Sequence, residues 1–230
     1  MQANEGKNLY ITVDGATYAR YAIKTHFVSI GEDYVDLVRT YVLPHWQPGD
    51  LLSSSEKIIA LCQGRIVRKE DMRIGRLARL LSPFASTSSA GIGVNCPYKM
   101  QFAIDEVGAP RVLFAAIAAG LGKLVGKRGV FYKIVGSEVS GLDGFYDHEF
   151  AEYGEYGIRI PSEPSAVCDE IERACGVTAM IVDANDLNVE ILGKSGTIKA
   201  NDEELRGLIA DNPAGQSREL TPFVLIRRVA

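Results

Sequence analysis

The stretch from Ser162 to Asp183 constrains this chain more than any other. Ser162 is a good N-cap and Pro164 sits in the first turn of the helix that should follow. Val167, Ile171 and Ala174 give that helix one apolar face, and Gly176 ends it. Thr178 to Val182 is then a buried strand that runs straight into Asp183-Ala184-Asn185-Asp186. A helix that feeds a wholly apolar strand calls for a sheet with helices packed on it.

The remaining segments fit that frame. Asn8–Val13 and Tyr18–Ile30 read as extended. Tyr34, Leu37, Val38, Tyr41 and Val42 fall on one stripe of a 3.6-residue period, which predicts an amphipathic helix stopped by Pro44 and Pro48. Pro48-Gly49-Asp50 is a turn that launches Leu51–Ser55 as a strand, and Lys57–Val67 is expected to continue as strand, turn and strand around Gly64. Pro83–Gly93 is Ser-, Thr-, Ala- and Gly-rich and reads as a loop. Two helices follow, Tyr98–Val107 and Pro110–Val125, split by Gly108-Ala109. Val130–Val135 is β-branched and aromatic and reads as a strand, Ser137–Gly144 as turns, Tyr146–Tyr156 as an acidic loop and Tyr156–Ile160 as a short strand. Val189–Leu192 is a further strand, Asp202–Ala210 a helix and Phe223–Val229 a terminal strand. Strands and helices alternate without a strict βαβ rhythm, so the expected class is α+β, a mixed α/β sheet with helices.

Composition excludes some function classes. The 230 residues are 47% hydrophobic and 23% charged, ordinary for a globular protein, with a net charge of -4. That balance argues against a nucleic-acid binder, which needs a basic face. Arg65, Arg68, Lys69, Arg73, Arg76 and Arg79 cluster locally; they read as a solvated helix face, with a landing site for a polyanionic nucleotide as the alternative. The four cysteines, Cys62, Cys96, Cys168 and Cys175, form no CxxC pair, which speaks against zinc. The first ten residues lack the apolar core of a signal peptide, and Val112–Val125 is too short for a membrane span of roughly 20 residues. The expectation is a cytoplasmic protein with no nucleic-acid or membrane partner.

Four constellations carry possible chemistry. Gly193-Lys194-Ser195 imitates the end of a phosphate loop, but Asn188 stands where the first glycine is needed. Asp183 and Asp186, with Asn185 between, sit where a strand ends and could offer hard oxygen ligands to a divalent cation; an Asx turn is the equal alternative. Asp143 lies in Ser140-Gly141-Leu142-Asp143-Gly144, where flanking glycines could bring a carboxylate to a ligand or simply make a turn. Ser53-Ser54-Ser55 with Lys57 offers hydroxyls, amides and one ammonium to a phosphate, or is a polar edge strand. His26, His45 and His148 share no metal-like spacing.

Taken in order, these segments resemble the coenzyme F-420 gamma-glutamyl ligase family. Ile23-Lys24-Thr25-His26-Phe27-Val28-Ser29-Ile30-Gly31-Glu32-Asp33 and the helix after it resemble the family's N-terminal loop and helix. Pro48-Gly49-Asp50 through Lys57, then Gln63-Gly64-Arg65, resembles its "PGD...K...EGR" segment. Gly141-Leu142-Asp143-Gly144 resembles its "AG(V/I)D" turn. Ile160–Ala166, the helix and Met180–Asp183 resemble its "LPEDPDxSA...VIxxDT" unit, and Phe223–Arg227 its closing strand.

The resemblance implies one domain over 1–230 with a possible helical insertion around 86–128, and an intertwined homodimer. It implies an enzyme that uses GTP and Mg or Mn to join L-glutamate to a carboxylate acceptor such as the deazaflavin coenzyme F-420-0, through an acyl phosphate. Carried over, Asp143 and Asp183 would hold the metal and Thr25, His26, Phe27, Val28, Ser29, Ser54 and Ser55 would line the nucleotide; Asp186 and Lys57 join these two sets from the local residue pattern above. The chain departs from the pattern at Ala60-Leu61-Cys62-Gln63-Gly64, where the family has "SKxEG", and at Ala184, where it has threonine; no asparagine follows the Gly144 turn. The alternative implied by these losses is a non-catalytic nucleotide- or metabolite-binding homodimer.

Overall fold

The computed structural model describes residues 1–85, 94–127, 129–145, 153–185, 188–215 and 219–229. Its strands, in chain order, are β1 (Tyr10–Val13), β2 (Ala16–Ile23), β3 (Leu51–Ser55), β4 (Ile66–Arg68), β5 (Asp143–Gly144), β6 (Tyr156–Ile158), β7 (Ala179–Ala184), β8 (Val189–Lys194) and β9 (Phe223–Arg228). Its α-helices are α1 (Tyr34–Leu37), α2 (Glu56–Cys62), α3 (Arg76–Leu81), α4 (Pro97–Val107), α5 (Ala109–Leu124), α6 (Val130–Val135), α7 (Ser137–Ser140), α8 (Pro164–Cys175) and α9 (Asp202–Leu208). The class is α+β, and the chain divides into two compact units, Met1–Arg65 with Pro161–Ala230, and Ile66–Ile160.

The first unit is built on a six-stranded mixed sheet ordered β1-β2-β9-β3-β7-β8. The terminal strand β9 sits in the middle and runs antiparallel to both β2 and β3, while β3 and β7 are parallel. It follows that β2, β3 and β7 all point the same way. Alternation along the strands gives each face its own core. Met180, Val182, Val224 and Ile226 pack with Leu205 and Leu208 of α9. The opposite side chains, among them Ala179, Ile181 and Leu225, are also fully buried. α8 packs on β7 and β8 so tightly that a Cβ at Gly193 would collide with the Pro164–Ser165 backbone.

The second unit pairs a small antiparallel sheet, β4-β6-β5, with helices α3 to α7. Its core joins Met100, Phe102 and Ala103 of α4 to Val112 and Ala115 of α5, and to Val135, Val139, Leu142 and Phe145.

Several expectations need correction. Lys57–Val67 holds the helix α2 before the turn at Gly64, and only Ile66–Arg68 is strand. Ile58, Ile59, Ala60 and Leu61 are all buried, so this short apolar run carries no periodicity that separates helix from strand. Val130–Val135 is helical as well. Gly129 and Gly136, both at positive φ, bracket it, and Val130 presses so closely on Gly122 that an added Cβ there would lie 2.9 Å from its Cγ2. Packing overrides β-propensity here. The Tyr34–Val42 helix is α only over α1, continuing as a π-helical turn over Val38–Val42 and a 3-10 turn over Leu43–His45. Strand β2 stops at Ile23, and 24–33 is loop. Glu163, in a left-handed conformation, precedes α8 in place of the expected cap Ser162, and makes no side-chain capping bond. The basic residues do not share a helix: only Arg76 and Arg79 lie on α3, and Arg68 ends β4. The expected loop at 83–93 is described only to Ala85, where Ser82–Phe84 forms a 3-10 turn; 146–152, with His148, lies outside the described residues.

Candidate functional site

Sheet register gathers most of the sequence-predicted residues at one edge of the first unit. Ile23 of β2 and Ser54 of β3 both pair with Phe223 of β9, from either side. Ser55 pairs with Val182, so Asp183 lies one residue beyond it on the neighbouring strand. The Thr25–Ser29 loop, Ser54, Ser55, Lys57 and Asp183 therefore leave the sheet at the carboxyl ends of β2, β3 and β7. The width of that edge, two strand spacings from β2 to β3 and one more to β7, is about 14 Å. Backbone bonds pin it: the Thr25 amide donates to Leu220 O at 2.8 Å and the Ser55 amide to Pro222 O at 2.8 Å. The carboxyl ends of parallel strands are where α/β sheets bind ligands.

The side chains at this edge are unequal. Thr25 and Val28 are buried, Phe27, Ser55 and Lys57 half-buried, and His26 and Ser29 exposed. The Thr25 hydroxyl donates to His26 O at 2.8 Å. Ser54 is fully buried, and its Oγ has no hydrogen-bond partner among the described residues. Asp183 is half-buried and lies directly across from Glu190 on β8. Glu190 was missed from the sequence because its partner is set by register.

The loop after β2 is tied down by Glu32. Its carboxylate accepts from the Ser29 amide and lies 2.8 Å from His26 Nε2, while His26 Nδ1 lies 2.7 Å from the Tyr41 hydroxyl. Burial opposes ionisation of Glu32, but the Ser29 amide and the His26 ring more than offset it and hold the carboxyl below its ordinary 4.5. Donors that a phosphate could use are thus engaged by an internal carboxylate. Beside them opens a cleft of about 270 Å³, lined by His26, Leu37, Thr40 and Tyr41 and by Glu32, Asp33 and Asp36. Three acids against one imidazole suit an ammonium better than an anion. Asp33 also caps α1, accepting from Val35 N at 2.7 Å. Burial, and then Glu32 and Asp33, push the nearby Cys62 thiol up to about 12.

The remaining expected residues lie as follows. Asn185 Oδ1 accepts from Asn188 N at 3.0 Å. Asp186 lies outside the described residues. Asp143 belongs to the second unit, and Asp183 to the first. Asp143 Oδ1 accepts from its neighbour Gly144 N at 2.8 Å. Gly144, at φ 85°, lets β5 approach β6, since a Cβ there would collide with Tyr156 O. Lys194 bonds Ala200 O and Asp202 Oδ1, each at 2.9 Å, and Ser195 Oγ accepts from Ala179 N, so the phosphate-loop look-alike is a structural corner. Asp50 is clamped by Arg227 through bonds of 2.8 and 2.6 Å. Gln63 holds both the amide and carbonyl of Ser162, at 2.8 and 2.9 Å. The Pro48-Gly49-Asp50 and Gln63-Gly64 motifs are thereby explained by packing. Among the described residues no group of three or more His, Cys, Asp or Glu is arranged to hold a metal, and no helix is long and apolar enough to cross a membrane.

Compared with known proteins, the chain matches no family model and no curated protein sequence.

Proposed function

We propose that the first unit binds a nucleoside triphosphate with a divalent cation at the carboxyl ends of β2, β3 and β7. On this reading the chain is a ligase of the gamma-glutamyl type. The observation that carries it is the convergence, from three segments distant in sequence, of the Thr25–Ser29 loop, the β3–α2 junction at Ser55–Lys57 and Asp183 on one sheet edge. Asp183, with Glu190 opposite, fits Mg or Mn, which take one or two carboxylates plus substrate phosphates. When bound, the metal neutralises the developing phosphate charge. The half-buried Lys57 and the amides at the β3–α2 junction orient the phosphates, and phosphoryl transfer is mostly such positioning. Phosphate binding displaces Glu32 from the Ser29 amide.

In the reaction, the γ-phosphoryl group of GTP passes to the acceptor carboxylate, forming an acyl phosphate and releasing GDP. The amine of L-glutamate attacks the acyl carbon, phosphate leaves, and the amine proton is lost to solvent. The acidic cleft beside His26 is suited to steer that amine as its ammonium. An acceptor of the F-420-0 type and a homodimer follow from the sequence resemblance.

One observation favours a second reading, nucleotide binding without turnover. Leu61 stands where the resembling motif has its lysine, and it is fully buried on α2, so no phosphate contact comes from that position. Both readings are tested together by GTP titration with Mn, read as thermal stabilisation, followed by incubation with glutamate and F-420-0. The ligase reading expects stabilisation that Asp183→Asn weakens at least tenfold in GTP affinity, together with phosphate release and the mass gain of one glutamate. Stabilisation without turnover selects the second reading. No stabilisation of the wild-type chain by any nucleotide, with or without metal, removes both.

A further inference from the structure

Helix α5 is apolar on two opposite sides. At about 100° per residue, its buried residues Val112, Ala115 and Gly122 face inward. Leu113, Phe114, Ile117, Leu121 and Leu124 fall within an arc of about 100° on the opposite side. Leu113 is 40% exposed, Phe114 63%, Ile117 64%, Leu121 62% and Leu124 82%, and Val125 just beyond the helix is 70% exposed. The helix carries no acid, and its two charges, Arg111 and Lys123, flank this stripe instead of interrupting it. A helix that is apolar all round is one that is buried all round.

We infer that the outer face of α5 is an isologous interface with a second copy of this chain. Area is the first argument. The six side chains offer roughly 750 Å² per protomer, beyond the largest patch of a typical monomer, about 300–600 Å², and close to the about 800 Å² per partner of a standard interface. Spacing is the second. Phe114, Ile117, Leu121 and Leu124 repeat at 3-4-3, the knob spacing that a facing helix reads and a lipid surface does not require. Gly120 is the third: it lies at the margin of the stripe, and a Cβ there would meet nothing within 4 Å, so a second helix can approach closely. Charge decides against an anionic membrane. A helix lying on lipid carries a Lys/Arg-rich polar face opposite its apolar one, whereas the face opposite this stripe is protein core and the chain's net charge is -4. The interface stands independently of the ligand assigned to the first unit.

The test is sedimentation equilibrium of the full chain across a 1000-fold concentration range, beside Ile117→Lys and Leu121→Lys, with circular dichroism as the check on folding. The expected result is a wild-type mass twice 25.0 kDa, with either variant shifting the dimer dissociation constant at least 100-fold while the spectrum is unchanged. A second variant, Gly120→Cys, is expected to form an intermolecular disulfide on mild oxidation in dilute solution. A wild-type chain that stays monomeric throughout overturns the inference. So does a dimer that both lysine variants leave intact, or flotation of a monomeric chain with phosphatidylcholine–phosphatidylserine vesicles.

Discussion

The two units solve the burial problem differently. In the first, a six-stranded sheet has both faces covered, and Ile171, Met180, Ile181 and Leu225 are fully excluded from water. In the second, the sheet is three short strands, one of them only two residues long, and helices do most of the packing. The longest of these, α5, is left with an uncovered apolar face. A sheet sealed on both faces frees its strand ends to carry polar chemistry, because the core no longer depends on them. A helix layer without a second cover keeps apolar surface to offer a partner. The candidate ligand residues accordingly gather at the edge of the first unit, and the candidate docking surface lies on the second.

The sharpest way to break this contrast is to truncate matched isoleucines. Ile181→Ala, in the sealed core, is expected to cost about 3–5 kcal/mol. Ile117→Ala, on the open face, should change the folding stability of the monomer by less than about 0.5 kcal/mol. Urea unfolding at a concentration too low for association compares them directly; a large loss at Ile117 would mean its face is core after all. Next in size is Gly144→Ala, which tests whether that glycine serves strand approach in the second unit. The positive φ and the collision with the Tyr156 carbonyl predict a loss of about 1–3 kcal/mol. A neutral result in the same unfolding assay would show that β5 and β6 can part without consequence.

The smallest effect is a pH dependence in the first unit. The folded pKa of Glu32 lies below its ordinary 4.5, so the Ser29–His26 latch contributes stability above pH 4.5. That contribution is lost as pH falls through the folded value. Glu32→Gln should flatten that part of the stability–pH curve by under about 1 kcal/mol, discounted because the pair is partly exposed. An unchanged curve between wild type and variant would show that the latch carries no net energy.

Legibility differed by element for physical reasons. α4 and α5 could be read almost to the residue, since Pro97, Gly108 and Pro110 punctuate them and their length exceeds any strand. The end of α8 at Gly176 was equally plain, because the left-handed cap at φ 69° suits glycine. α2 and α6 were not legible: each is a run of six or seven residues in which apolar positions dominate, and local pattern cannot separate helix from strand at that length. The π-helical turn over Val38–Val42 left no trace in a 3.6-residue period. At the candidate site, Ser55 and the apolar run before Asp183 were readable as strand ends, while Lys57 was read as strand and lies in α2. Glu190 was not readable, because its place opposite Asp183 depends on pairing, with a bulge beside Ile181 and Val182.

What the sequence determined by itself is local: which segments can be helix or strand, where glycine and proline stop them, and that acids and hydroxyls stand at strand ends. Tertiary structure alone decided that β9 inserts between β2 and β3, and so which of those ends share an edge. It also decided that Ser54 and Leu61 are sealed inside while Ile117 and Leu124 face out. The reason is that periodicity fixes which side chains lie together on an element, whereas burial depends on what else arrives to cover that face, and segments remote in the chain supply the cover.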